Sequence, residues 1–241
     1  MERCATGIDG LDDILEGGIP VGNTLLISGP CGSGKTTLAT EILNNGAKMG
    51  ETGAFISVSD PVKRVIENMK GFEFFDEKLV EDGKIFFFDM SWFYEMLSFT
   101  EHELSYDDID ALVGTLEDLV RKLGLKRLVI DSFSGICFRL RTQEKIHEFV
   151  YKIARAFSEY GCTCMLVSEI PPGMVKYSSH DVEDLLVDGV ILLGNSEQRG
   201  YLLRTIQVVK MRGTNHSRDR YVFELSPYGA IIVPLLRSAV E

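Results

Sequence analysis

Short apolar runs alternate with longer segments of helical periodicity along the first two thirds of the chain. The apolar runs predict strands at 24–28, 54–58, 85–89, 128–131 and 165–168. The intervening segments predict helices at 35–49, 62–69, 109–123 and 142–160. Strands that are joined by crossover helices imply a mainly parallel sheet with helices on both faces.

The pattern changes after residue 168. A polar loop at 170–184 is followed by strands at 190–193, 202–211, 221–225 and 230–233 with no helical segment between them. This tail predicts an antiparallel meander that extends the sheet. The chain shows no repeat and no linker, so we expect one α/β domain over residues 1–241. Its aromatic, acidic segment at 91–110 either covers the sheet or docks a partner.

Composition narrows the function classes. The 241 residues carry a net charge of −11 and have a pI of about 4.9, which makes nucleic-acid binding unexpected. The chain has no apolar run of membrane-spanning length and no secretory signal, so we expect no membrane insertion and a cytoplasmic location. The five cysteines are odd in number and lack zinc-ligand spacing, so neither a disulfide framework nor a structural zinc is expected.

A glycine-rich motif directly follows the first predicted strand. Residues 29–36 read Gly-Pro-Cys-Gly-Ser-Gly-Lys-Thr, which matches the phosphate-loop (Walker A) pattern in full and opens a predicted helix. Backbone amides of such a loop surround phosphate oxygens, and the helix N-terminus attracts the same anion. The candidate nucleotide-binding residues here are Gly29, Cys31, Gly32, Ser33, Gly34, Lys35, Thr36 and Thr37.

An acidic residue at a second strand end completes a metal site. Asp131 ends the apolar strand at 128–131, which is the Walker B position. The Thr36 hydroxyl is predicted to hold Mg²⁺ directly, and Asp131 is predicted to hold it through water. Lys35 is expected to reach the β- and γ-phosphates.

Two further segments resemble one protein family. Residues 6–20, which include Gly-Ile-Asp-Gly-Leu and Gly-Gly-Ile-Pro, look like the opening of KaiC and RadA-type domains. Residues 210–216 (Lys-Met-Arg-Gly-Thr-Asn-His) resemble a tail motif that is specific to KaiC-like proteins. The resemblance spans nearly the whole chain and covers one KaiC repeat, closer to the ATPase half than to the autokinase half.

The resemblance implies a RecA-like P-loop fold that uses ATP and Mg²⁺ in a homo-oligomeric ring, with a hexamer favoured. It also implies that Lys210 and Arg212 act on the ATP of the adjacent subunit, and that His216 belongs to the nucleotide site. Arg204, Lys210 and Arg212 occupy even positions of one predicted strand, so we expect a basic row on one face that suits an anion arriving from outside, with Arg204 as a further nucleotide-binding candidate.

The chain departs from the family at the second strand. KaiC-like proteins usually carry two glutamates there, of which the first activates the attacking water, whereas Ser59 and Asp60 stand at those positions here. Serine cannot act as a general base at neutral pH, so Asp60 and Glu169 are the remaining candidates. The family often has an aspartate near the final hairpin, where residues 226–229 read Ser-Pro-Tyr-Gly in this chain. The resemblance therefore does not indicate how adenine is selected over guanine.

Three functions fit these observations. The first is a slow oligomeric ATPase that acts as a regulatory or signalling switch for an unspecified protein partner. The second is a non-hydrolysing ATP-binding scaffold, which the serine at position 59 favours. The third is a RadA-like DNA recombination paralogue, which the acidic loop at 170–184 disfavours.

Overall fold

The apolar runs form the strands of one large sheet, and the segments of helical periodicity form helices that cover it. The computed structural model describes residues 1–99, 104–171, 176–180, 182–198 and 200–235. The strands are β1 (Arg3–Cys4), β2 (Ile19–Pro20), β3 (Thr24–Gly29), β4 (Gly53–Ser57), β5 (Ile85–Asp89), β6 (Arg127–Asp131), β7 (Thr163–Glu169), β8 (Gly189–Gln198), β9 (Tyr201–Met211), β10 (Arg220–Ser226) and β11 (Gly229–Pro234). The helices are α1 (Leu11–Ile14), α2 (Lys35–Lys48), α3 (Val62–Met69), α4 (Glu77–Glu81), α5 (Met90–Met96), α6 (Tyr106–Leu123), α7 (Phe133–Leu140), α8 (Gln143–Glu159) and α9 (Glu183–Leu186).

The large sheet has the strand order β11-β10-β9-β8-β3-β7-β6-β4-β5. The strands from β3 to β8 pair in parallel. Strands β8 to β11 pair in sequence as antiparallel neighbours. The predicted α/β class, with a mainly parallel sheet and an antiparallel C-terminal meander, is confirmed. Because parallel strands share a direction, the loops after β3, β4, β6 and β7 meet at one edge of the sheet.

Each face of the sheet is buried by its own layer. Helices α6, α7 and α8 contribute Leu112, Ile136 and Phe149 to the core on one face. Helix α2 packs on the other face through Leu38 and Ile42. The buried side chains of α6 and of α8 recur at helical spacing, so each of these helices presents one apolar stripe, whereas α2 is buried on nearly all sides. The layer of α2 therefore holds the residues that follow the phosphate loop in a rigid position.

The short helices α1, α4, α5 and α9 were not predicted, and α6 and α7 also differ from the prediction. Helix α6 begins at Tyr106 rather than at 109, because the Ser105 side chain accepts a hydrogen bond from the Asp108 amide in a capping box. Helix α7 was not predicted at all. It has 8 residues and starts two positions after Asp131, so its apolar stripe is too short to separate from the preceding strand by periodicity.

The β8–β9 hairpin is longer than predicted, because its strands continue to Gln198 and begin again at Tyr201. Backbone pairing maintains this extension although Tyr201 is 73% exposed, which is why the apolar pattern did not reveal it. In the aromatic segment, Phe93 is buried and Phe99 packs against the same core, so this part covers the sheet. Residues 100–103 of that segment lie outside the described residues. Among the described residues, no helix is both long and apolar enough to cross a membrane.

Candidate nucleotide site

The phosphate loop joins β3 to α2 in a conformation that depends on glycine. Gly34 has φ 97°, and a Cβ there would lie 2.9 Å from the ring of Phe223. Ser33 is fully buried, and its Oγ has no hydrogen-bond partner among the described residues. A buried hydroxyl without a partner is costly, so this atom suits a polar ligand held by the loop. Cys31 is exposed at the loop surface, and Thr37 lies largely buried in the first turn of α2.

Lys35 lies across this loop. Its Nζ donates hydrogen bonds to Gly29 O at 2.9 Å and to Pro30 O at 2.8 Å. Burial lowers the pKa of Lys35, while the negative charges of Glu169 and Asp131 act to raise it. The ammonium group is therefore held against the phosphate loop and balanced by two carboxylates.

Thr36 and Asp131 are in direct contact. The Thr36 hydroxyl donates a hydrogen bond of 2.6 Å to Asp131 Oδ2, which brings the two predicted metal-site residues together. Burial raises the pKa of Asp131, and the Thr36 hydrogen bond and the Lys35 charge oppose that rise. A hydroxyl and a carboxylate are hard oxygen ligands, so this pair fits Mg²⁺.

Two further carboxylates face the same edge of the sheet. Glu169 ends β7 opposite Gly29, and its backbone amide donates to Ser134 Oγ at 2.9 Å. Asp60 follows β4 and is exposed, with Oδ1 3.4 Å from the Arg64 guanidinium. The charges of Asp60 and Glu169 both act to raise the pKa of Asp131. Both candidate general bases therefore lie within electrostatic reach of the metal site.

Ser59 lies beside the Walker B segment. Its Oγ is 3.2 Å from the Oγ of Ser132, the residue after Asp131. The strand that precedes Ser59 pairs directly with the strand of Asp131, with Ser57 opposite Asp131. A longer acidic side chain at position 59 would start from the same edge of the sheet as the phosphate loop.

Arg204 lies at the phosphate-loop end of the molecule. Its Nε donates to Gly32 O at 3.4 Å. A cavity of about 530 Å³ opens beside this contact and is lined by Cys31, Gly32, Asn195, Leu202, Leu203, Arg204, Val222, Phe223, Glu224 and Leu225. The sequence did not indicate that Arg204 meets its own phosphate loop, because the two segments are 172 residues apart.

Lys210 and Arg212 lie at the opposite end of the sheet. The Lys210 ammonium donates to the carbonyls of Asp184 (3.0 Å), Leu185 (3.2 Å) and Val187 (2.6 Å), in and just after α9. Arg212 Nη1 lies 3.2 Å from Asp188 Oδ1. The Asn23 side chain, just before β3, donates to Arg212 O, so residue 212 lies beside the start of β3. Gly29 lies at the other end of this 6-residue strand, roughly 20 Å away at the usual rise per strand residue.

The expected basic row on one face is wrong. A β-bulge between Val190 and Ile191 leaves Val209 without a partner, because Lys210 pairs with Val190 and Val208 pairs with Ile191. An extra residue reverses the alternation of side chains along the strand. Arg204 therefore points toward the phosphate-loop face, whereas Lys210 and Arg212 point toward α9.

His216 belongs to the loop that follows β9. Its Nδ1 lies 3.0 Å from Ser217 O, and the ring is half-buried. The adjacent amides of Asn215 and Ser217 donate to Glu16 Oε2 and Ile14 O, so the tail motif is attached to the N-terminal segment. The tail residues thus form a group of their own, away from the phosphate loop of the same chain.

Comparison with known proteins agrees with this architecture. The family model "ATPase: KaiC" matches residues 4–237. The chain is 33% identical over 239 residues to the UPF0273 protein of Thermotoga maritima and covers 97% of that protein. It is 31% identical over 242 residues to the circadian clock protein KaiC3 of Synechocystis, but it spans only 47% of that protein's length.

A solved structure is similar over the same extent. The KaiC-like protein PH0186 of Pyrococcus horikoshii superimposes with a TM-score of 0.81 at 33% identity, covering 97% of this chain and 99% of that one. The family model and the relatives of matching length cover the phosphate loop, the Walker B strand and the tail motif together. The chain therefore belongs to the KaiC family of ATPase domains.

Proposed function

We propose that this chain binds Mg-ATP at the phosphate loop and hydrolyses it slowly within a ring of identical subunits. The observation that carries the proposal is the contact of Thr36 with Asp131 beside the loop that Lys35 spans. Membership of the KaiC ATPase family supports ATP as the nucleotide. The partnerless Ser33 hydroxyl and the oxygen ligands at the loop support a phosphate with its Mg²⁺.

Each residue has a separate task in this proposal. The loop amides hold phosphate oxygens, Lys35 neutralises the β- and γ-phosphates, and Thr36 with Asp131 holds the metal. A bound Mg²⁺ would supply charge neutralisation on the transferred phosphoryl group. Glu169 is the candidate for ordering the attacking water, because its charge already acts on both Lys35 and Asp131.

The positions of the basic residues support the proposed ring. Lys210 and Arg212 lie roughly 20 Å from the phosphate loop of their own chain, so they can contact a nucleotide only across a subunit boundary. Arg204 instead serves its own loop, beside the cavity that we assign to the remainder of the nucleotide. We take the ring to be a hexamer, and its slow turnover to act as a switch for a protein partner.

A non-hydrolysing ATP-bound scaffold is the second candidate. It is favoured by Ser59, whose hydroxyl meets Ser132 instead of supplying a carboxylate, and by the pairing of Asp60 with Arg64. In that case the nucleotide would stabilise the ring without being consumed. The two candidates differ in turnover and not in binding.

Calorimetric titration with Mg-ATP tests the shared part of both candidates. Lys35→Ala and Thr36→Ala should each abolish measurable binding, because each removes a group that contacts phosphate or metal. Lys63→Ala, at an exposed lysine on α3, is the matched control and should bind as the wild type does. Unchanged affinity in both loop variants would refute the site, and phosphate release by the wild type then separates ATPase from scaffold.

A further inference from the structure

Three side chains of metal-ligand type converge outside the nucleotide site. The Cys137 Sγ, a His180 ring nitrogen and a Glu183 carboxylate oxygen all lie within 4.8 Å of one another. Cys137 and Glu183 are buried, and His180 is partly exposed. The residues come from α7, from the segment before α9 and from the first position of α9, so their spacing along the chain did not suggest a site.

The surrounding contacts hold this cluster in place. The Glu183 carboxylate accepts hydrogen bonds from the amides of His180 at 3.1 Å and Val182 at 3.3 Å. The Gln143 side chain at the start of α8 donates to His180 O at 2.9 Å. The backbone of His180 is thus held through both its amide and its carbonyl, which limits the positions that its ring can take.

We propose that Cys137, His180 and Glu183 bind a zinc-class divalent cation, with water at the fourth position. A thiolate, an imidazole and a carboxylate are ligands that Zn²⁺ accepts together, whereas Mg²⁺ and Ca²⁺ prefer oxygen alone. One thiolate and one carboxylate balance the charge of the ion, which suits two ligands that are buried. The partly exposed histidine provides a route for entry and for the water ligand.

The geometry requires only a small adjustment. Zinc bonds of about 2.0–2.3 Å separate tetrahedral ligand atoms by roughly 3.3–3.7 Å. The present limit of 4.8 Å therefore has to shrink by roughly 1–1.5 Å, which small changes in the side-chain torsions would provide. The bound ion would connect α7, which follows Asp131, to α9, whose last carbonyls accept from Lys210.

Cobalt binding to the metal-free full chain tests this site directly, because Co²⁺ bound to a thiolate absorbs in the near ultraviolet. The titration is carried out with excess Mg²⁺ and without nucleotide, so that hard oxygen sites are saturated. The wild type should bind Co²⁺ with the thiolate band and lose the band when Zn²⁺ is added. Cys137→Ala should lose the band, and His180→Gln should weaken Co²⁺ binding by about tenfold or more.

Two cysteine controls locate the thiolate. Cys164→Ala removes another buried cysteine and should keep the band, and Cys31→Ser removes the exposed one and should also keep it. A wild type without a thiolate band, or a band that persists in Cys137→Ala, would overturn the proposal. If Cys137→Ala does not fold, His180→Gln decides, because unchanged Co²⁺ affinity in that variant also overturns it. None of these readouts depends on ATP.

Discussion

Ser59 stands at the position where we expect KaiC-like proteins to carry the glutamate that activates water. Its hydroxyl faces Ser132 beside the metal site. Ser59→Glu should accelerate phosphate release at saturating ATP by about tenfold, since a positioned general base contributes ~10²- to 10⁴-fold and an introduced one captures only part of that. Steady-state phosphate release gives the rate.

Ser59→Gln is the matched control, because it has the same length without a basic carboxylate. It should leave the rate near that of the wild type. If both substitutions change the rate equally, the gain is not general-base catalysis. If the wild type is already fast and Ser59→Glu adds nothing, Asp60 or Glu169 acts as the base, and Asp60→Asn and Glu169→Gln then identify which.

Glu41 is a buried carboxyl on α2 that the sequence did not single out. It is 5% exposed, and its Oε2 accepts from the Ala230 amide at 2.8 Å. Gly229 makes this approach possible, because a Cβ there would overlap the carboxylate. Burial raises the pKa of Glu41 to about 7, while the Ala230 hydrogen bond and the Lys48 charge act to lower it.

The raised pKa gives stability a definite pH dependence. The folded state holds the Glu41 proton more tightly than the unfolded chain, so this contribution is largest below the ordinary carboxyl pKa of 4.5 and is lost as pH rises through about 7. Glu41→Gln should therefore unfold with a free energy up to about 3 kcal/mol above that of the wild type near pH ~8.5, and the difference should shrink toward pH ~5. Urea unfolding at fixed protein concentration measures it, and an identical pH dependence in both proteins would exclude Glu41 as the titrating group.

At the residue scale, the sequence predicted contacts that arise within a motif or between neighbouring strand ends, and it missed contacts between distant segments of the chain. Lys35 and Thr36 follow from one contiguous motif, and the contact of Thr36 with Asp131 follows from the ends of β3 and β6, which are parallel and flank β7. The partner of Glu41 is 189 residues away, and a contact of that kind exists only once the C-terminal hairpin packs on α2.

At the scale of elements, strand β9 decides which way the basic residues point. The alternation of side chains along a strand predicted that Arg204, Lys210 and Arg212 share one face. The bulge at Val209 reverses that alternation before Lys210. No turn residue marks the bulge, since residues 208–211 read Val-Val-Lys-Met. The polar second half of β8, residues 194–198, escaped prediction for a related reason, because backbone pairing continues where the apolar pattern ends.

Lys210 has a structural task within its own chain. It donates to three carbonyls in and after α9. Lys210→Met should lower the free energy of unfolding by about 1–3 kcal/mol, because buried or half-buried carbonyls lose their donor. Urea unfolding of the nucleotide-free protein measures this loss.

Arg212→Gln is the comparison, and it should cost less than about 1 kcal/mol because the Arg212 side chain is 56% exposed and its pair with Asp188 is solvated. Equal losses in the two variants would contradict the structural role of Lys210. A clear difference makes Arg212 the better probe of contacts between subunits, since its removal leaves α9 supported.

At the scale of the whole molecule, the position of the tail motif supports the proposed sharing of the nucleotide between subunits. The phosphate loop lies at one end of β3, and residue 212 lies beside the other end. The alternation of strands and helices predicted the parallel sheet, and the tail motif suggested a contact in trans only through resemblance. Residue 212 lies far from the phosphate loop because β9 runs antiparallel to β8. The predicted antiparallel meander implied this direction of β9.

Assembly should therefore respond to ATP. Light scattering at micromolar protein should give the mass of a closed ring in Mg-ATP, and Arg212→Glu should weaken that assembly, because it replaces a cation facing the neighbour's phosphate with an anion. Circular dichroism of the variant checks that the subunit remains folded. A monomeric wild type with and without ATP would contradict the ring.

The most direct test of a shared nucleotide site is to mix two inactive variants. Lys35→Ala lacks its own phosphate contact but keeps Arg212, whereas Arg212→Gln keeps its phosphate loop but lacks the group it offers to a neighbour. In a random equal mixture, half of the subunits have an intact phosphate loop, and half of the neighbours of those subunits have an intact Arg212. About a quarter of the subunit boundaries are therefore complete, so turnover should recover to about a quarter of the wild-type rate. If the mixed rings form, as judged by fluorescence exchange between labelled subunits, and turnover still remains at the level of the separate variants, the nucleotide is not shared between subunits.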